Sequence, residues 1–93
     1  MYQDQESSDE GATRRRRERL IELAGMFKEI QKGSDSVKEK VLARFCLQEG
    51  VSLRKTKEYF SSVLTVGLVK ITNGHKSWKY DSKEEWELFQ VSI

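Results

Sequence analysis

The sequence predicts a mostly α-helical domain that carries one small β-hairpin. Apolar residues recur at three- and four-residue spacings in three successive stretches before residue 67, the mark of helices with one buried face. Beyond Gly67 the apolar period falls to two. There "LVKIT" and "HKSWKY" flank Asn73-Gly74, and Asn-Gly between alternating runs favours a type I′ turn because that turn needs two residues at positive φ. At 93 residues the chain is one domain's worth.

Residues 1–12 hold Asp4, Glu6, Asp9 and Glu10 and show no apolar periodicity, so a disordered acidic tail is expected before a domain spanning 13–93. That tail either competes with a polyanion for a basic surface or is a plain solvated end. The first helix is expected over 13–32. Leu20, Leu23, Ala24, Phe27 and Ile30 line one face, Thr13 stands at the capping position, and Gly33 lies just past the end. Its first turn would hold Arg14, Arg15, Arg16 and Arg17. Cations oppose the partial positive charge of a helix start, so the run points to an external anion, to a frayed turn, or to a nuclear import signal.

A second helix opens at "SDS" (34–36). Ser36 and Glu39 have capping-box spacing, Val37, Val41, Leu42, Phe45 and Cys46 form the apolar stripe, and Gly50 ends it. The third helix is expected over 52–66, capped by Ser52 and ended by Gly67, with Thr56, Tyr59, Phe60, Val63 and Leu64 facing inward. A two-residue hairpin loop would then pair Thr72 with His75, Ile71 with Lys76, Lys70 with Ser77 and Val69 with Trp78. Val69, Ile71, Trp78 and Tyr80 would share the apolar face. A second capping box, Ser82 with Glu85, is expected to open a short C-terminal helix with Trp86 and Phe89 on one side.

Composition excludes several functions. No apolar run approaches a membrane span, and no secretory signal is visible in the acidic start, so a cytoplasmic protein without membrane contact is expected. One cysteine, Cys46, and one histidine, His75, cannot make an internal disulfide or a zinc site, and no metal or cofactor is expected. Cys46 falls on an apolar helix face and His75 on a hairpin tip, which separates them as a catalytic pair. No phosphate loop appears either, and the chain is read as not an enzyme. An intermolecular disulfide stays open should Cys46 prove exposed.

Charge is unevenly placed. The net charge is +2, yet residues 54–80 hold six basic side chains against Glu58 alone. Such a skew suits a polyanion-facing surface better than simple solvation.

The order helix, helix, glycine turn, helix, hairpin resembles a winged helix-turn-helix domain over residues 14–80. The most specific stretch is "FCLQEGVSLRKTKEYFSSVLTVGLVKI". The superfamily pattern places a small residue four before the turn glycine, where Cys46 stands, and an apolar residue just after it, where Val51 stands. Thr56 and Tyr59 occupy the inward positions six and nine beyond the glycine. The chain looks similar to small archaeal, plasmid and viral transcriptional regulators.

The resemblance implies a DNA-binding, transcription-regulating protein, nucleoid-associated in a prokaryotic or viral setting. It places the helix of residues 52–66 in the major groove of double-stranded DNA and the 68–80 hairpin as a two-stranded wing. Arg54 would then read guanine, Lys55 and Lys57 would meet phosphate or guanine, and Glu58 could accept from a cytosine amino group. Ser61 lies on the same outer side, and Ser52 with the first helical amides would hold a phosphate. Asn73, His75 and Lys76 would lie along the backbone or the minor groove, and Arg14 to Arg17 would add affinity. A homodimer is expected, through helix one, the Trp86/Phe89 segment, or both. The alternatives are a protein-docking module whose cations meet an acidic partner and, third, RNA binding.

Overall fold

A computed structural model describes residues 2–81 of the chain. Three helices, α1 (Tyr2–Ile30), α2 (Asp35–Glu49) and α3 (Leu53–Thr65), pack on a three-stranded antiparallel sheet of β1 (Lys32–Ser34), β2 (Val69–Thr72) and β3 (Ser77–Tyr80). The strand order is β1-β3-β2. The architecture is therefore mostly helical, with a small sheet covering one side of the helices. The expected C-terminal helix with Trp86 and Phe89 lies outside the described residues.

Helix α1 departs most from expectation. It starts at Tyr2, so residues 2–12 are helical where a disordered tail is expected, and Thr13 is an interior residue rather than a cap. Its 29 residues span about 44 Å. Its second half meets the core: Leu20, Leu23, Ala24 and Phe27 are buried. The sequence of the lead-in has no apolar period to announce a helix. Arg14 to Arg17 now lie three turns inside the helix, which removes the conflict with the helix dipole. Acids early and arginines later in the sequence in fact run with that dipole.

Helix α1 ends before Gln31, not at Gly33. Gln31 adopts φ 77°, its amide donates to the Phe27 carbonyl, and its carbonyl accepts from the Tyr80 amide. Pairing with β3 thus takes over where the helical ladder stops. The next residues form β1, in which Gly33 sits opposite Trp78. A Cβ at Gly33 would lie 2.9 Å from Val37 Cγ1 and 3.1 Å from Trp78 Cζ2, so the missing side chain lets the indole approach. The indole Nε1 donates to the Ser34 carbonyl at 3.0 Å.

Ser34, not Ser36, caps α2. Its hydroxyl accepts from the Val37 amide, while Ser36 Oγ lies 3.0 Å from Ser34 Oγ. The β1 pairing fixes Ser34 in extended backbone at the helix mouth, so the nearer serine takes the role. At the other end Gly50 supplies the left-handed cap, with φ 69° and its amide on the Cys46 carbonyl. Ser52 caps α3 by accepting from the Lys55 amide, as expected.

The hairpin forms with its expected faces but a shifted register. Thr72 pairs with Ser77, Ile71 with Trp78, Lys70 with Lys79 and Val69 with Tyr80. Asn73 and Gly74 do take positive φ, and His75 follows them at φ 74°. The loop therefore runs from Asn73 to Lys76 and the ladder slips by two. An even slip keeps each side chain on its face. It sets Ile71 opposite Trp78 instead of Lys76, which spares a lysine from the apolar side. The hairpin supplies two strands of a three-stranded sheet, where a two-stranded wing is expected.

The core is continuous across these elements. Phe27 packs edge-on against Trp78 with centroids 4.8 Å apart and lies 5.0 Å from Phe60. Phe45 meets Tyr59, and Leu68, Val69 and Tyr80 close the sheet side. Ile30, expected inside, is 40% exposed because the chain turns away at Gln31. No helix of the described residues is long and apolar enough to cross a membrane.

Candidate functional site

The turn between α2 and α3 fixes how α3 is presented. Thr56 is fully buried: its hydroxyl donates to the Ser52 carbonyl at 3.0 Å and lies 3.2 Å from Cys46 Sγ. Tyr59, Phe60 and Val63 continue the buried side. Cys46 is half-buried against Thr56.

This anchoring turns one stripe of α3 outward. Arg54, Lys57, Glu58, Ser61 and Thr65 recur at helical spacing, and all are exposed. Thr65 extends the stripe beyond the residues expected from sequence, and its hydroxyl donates to the Ser61 carbonyl. Lys55 lies at the stripe's edge. Its ammonium is 3.6 Å from Glu58 and 5.9 Å from the centre of the Tyr59 ring. Glu58 thus neutralises Lys55 locally, and an exposed pair of this kind contributes only about 0.3–0.5 kcal/mol. Among the described residues, Arg54 and Lys57 make no ion pair.

Ser52 is exposed at the head of the stripe, with its hydroxyl engaged as the cap. The first helical amides after it have no acceptor within the helix and point outward along the axis. Leu53, beside them, is 44% exposed.

The sheet adds a second cationic surface. Lys32, Lys79 and Lys70 are direct neighbours across β1, β3 and β2, on the face away from the core. Ser34, Ser77 and Thr72 form the next row, with Thr72 Oγ1 and Ser77 Oγ 2.6 Å apart. Like charges directly opposite each other are unfavourable. Asp81 relieves one of them, at 2.7 Å from Lys70. Sequence reasoning misses Lys32 because β1 is missed. At the hairpin tip Asn73, His75 and Lys76 are exposed, and the Lys76 carbonyl accepts from the Asp35 amide, tying the loop to the start of α2.

Arg14 to Arg17 are exposed on the lead-in of α1. Arg15 lines an open depression with Glu18, Arg19, Glu22 and Glu49, and Arg19 lies 4.0 Å from Glu49. Arg15 therefore stands beside the end of α2, amid mixed charge, rather than on the α3 stripe. Among the described residues no group of three or more histidine, cysteine or acidic side chains could hold a metal ion.

Comparison with protein families, with curated proteins and with solved structures returns no match.

Proposed function

We propose that the chain is a winged helix-turn-helix protein that binds double-stranded DNA and regulates transcription, with α3 entering the major groove and the hairpin acting as the wing. The observation that carries this reading is the outward stripe of α3, where Arg54 and Lys57 stand without an ion pair among the described residues. An α-helix fits the major groove, and arginine's planar fork matches the two acceptors of guanine. The element order supports the fold assignment, since a strand before the helix pair joins the hairpin in one sheet. The tight turn through Gly50, with Cys46 against Thr56, supports it too. Lys57, the cap of α3 and the lysine row of the sheet would supply phosphate contacts, which fix register and give affinity.

The test is a titration with duplex DNA at several salt concentrations. Wild type is compared with Arg54→Ala/Lys57→Ala and with a charge-matched control, Lys40→Ala/Arg44→Ala, on α2. Each phosphate contact removed should lower the slope of log affinity against log salt by about 0.9. The α3 variant should bind more weakly with a shallower slope, and the control should follow wild type. Equal loss in both variants would mean a non-specific field. Absence of duplex binding at low salt would refute DNA binding and turn attention to an acidic protein partner.

A further inference from the structure

A groove between α1 and α2 lies apart from the surfaces described above. Met26 and Ile30 of α1 and Val41 and Arg44 of α2 line it, and it encloses about 160 Å³. At one end the Gln48 side-chain amide donates to the Glu22 carboxylate at 3.1 Å. At the other end Ile30 is 40% exposed, and between them Met26 is only half-buried, so the groove presents apolar surface to water. Arg44 and, one turn before it, Lys40 stand on the α2 side. Both are exposed, and neither makes an ion pair among the described residues.

The chain leaves the sheet at the Ile30 end of this groove. The Tyr80 amide donates to the Gln31 carbonyl, which sets the end of β3 beside the residue after Ile30. From Asp81 the sequence continues into residues 82–93, outside the described residues, and that sequence matches the groove in three ways. Trp86, Phe89 and Ile93 recur at helical spacing, so on a helix they would make an apolar stripe about 10 Å long. From Ile30 back to Glu22 the groove follows α1 for about 12 Å. Glu84, Glu85 and Glu87 flank the aromatic positions and are opposite in sign to Lys40 and Arg44, while Lys83 is opposite in sign to Glu29 at the Ile30 end. The tether from Asp81 to Trp86 is short, which gives the segment an effective concentration on the order of millimolar at its own groove. A second copy has no such advantage.

We infer that residues 82–93 dock within their own molecule in the α1–α2 groove, with Trp86 and Phe89 covering Met26 and Ile30 and the glutamates facing Lys40 and Arg44. The aromatic segment that the sequence offers as a dimer surface is then spent on an intramolecular contact. It clasps the end of α1 to α2 and leaves the α3 stripe and the lysine row of the sheet open. The inference does not rest on DNA binding.

The test places a nitroxide on Ser92→Cys in a Cys46→Ser background of the full chain and reads the broadening of backbone amide signals by nuclear magnetic resonance. Broadening should be strongest at Met26, Val41 and Arg44, and weakest at the hairpin tip and on the α3 stripe. Adding Trp86→Ala/Phe89→Ala should remove the broadening at the groove while circular dichroism shows the fold retained, since neither residue belongs to the core described above. A sample mixing spin-labelled chains with isotope-labelled chains separates the two sources of the segment. The groove signals should stay sharp there, and broadening in the mixture would overturn the inference in favour of a second copy. Broadening that is even, or strongest elsewhere, would overturn it too, as would groove broadening that survives loss of both aromatics. The unaltered protein gives an independent reading. Acrylamide should barely quench its tryptophan fluorescence, because Trp78 is buried and Trp86 would be covered; a freely quenched fraction would refute the docking. None of these readouts contains DNA, so failure here is distinct from failure of the α3 reading.

Discussion

Gly33→Ala is a one-atom test of how β1 holds the molecule together. The new Cβ would meet Val37 Cγ1 at 2.9 Å, Val37 Cβ at 3.0 Å and Trp78 Cζ2 at 3.1 Å. None of these is the free end of a flexible chain. Val37 Cβ is bound to the α2 backbone, and the Trp78 ring is held edge-on by Phe27 and tied through Nε1 to the Ser34 carbonyl. The ring cannot retreat without breaking that hydrogen bond, and β1 cannot retreat without loosening its pairing with β3. Overpacking of this kind costs about 1–3 kcal/mol. Against it stands a gain of about 0.4–1 kcal/mol, because alanine restricts the unfolded chain more than glycine does. Gly33 has no positive φ, so no backbone penalty enters.

The balance is a net loss of about 1–2 kcal/mol, which for a domain of this size lowers Tm by roughly 5–15 °C. Thermal and urea unfolding followed by far-ultraviolet circular dichroism would measure it, with Gly33→Val as a graded second point that should be worse. A Gly33→Ala protein as stable as wild type would mean that β1 shifts freely. The close approach of Trp78 would then not be what positions Ser34 as the cap of α2.

Trp78→Phe should cost about 1 kcal/mol or more in the same unfolding assay, since it removes the donor to Ser34 and leaves a small void. Gly50→Ala should cost about 1 kcal/mol through backbone strain alone, because φ is 69° and no atom lies near the added Cβ; Gly50→Asn should recover part of the loss. Ser52→Ala should destabilise by about 1 kcal/mol through loss of the bond to the Lys55 amide. Glu58→Gln should leave stability within about 0.5 kcal/mol and, on the DNA reading, strengthen binding to any duplex by freeing Lys55, which a titration at fixed salt would show.

The parts of the fold legible in the sequence are those set by local rules. Helix α3 is the clearest case, because its buried period, the Ser52 cap and the Gly67 exit all act within a few residues of the chain. The faces of β2 and β3 were legible for the same reason, since alternation has a period of two. Their register was not. Asn73 and Gly74 form the expected turn, but His75 joins them at positive φ, and only contact between the two strands tells a slip of two from no slip. Strand β1 was hidden outright. "KGS" has no strand-forming side chain, and its extended state comes from β3, more than forty residues away. The choice of Ser34 over Ser36 as cap follows from that strand. The lead-in of α1 shows the complementary failure: a helical stretch whose sequence has no apolar period leaves nothing to read.

The same missed strand changes what the charged surface can be. From sequence, Lys70 and Lys79 are two lysines on the back of a hairpin. With β1 in place they become a row of three with Lys32, at the spacing of neighbouring strands, and Lys70 has the Asp81 carboxylate beside it. Strands lie about 4.8 Å apart, so the row concentrates charge more tightly than a solvated surface needs. Folding tolerates this arrangement because the opposite face of the same three strands carries Gly33, Trp78, Ile71, Val69 and Tyr80. Moving any strand by one residue to separate the lysines would turn that apolar set toward water, at a cost of several kcal/mol for the buried aromatics alone. The row is therefore locked by the core. Its contribution can be separated from that of α3, because Lys32→Gln/Lys79→Gln leaves the apolar face untouched. On the DNA reading that pair should reduce the salt slope without altering preference among sequences, whereas Arg54→Ala should alter both.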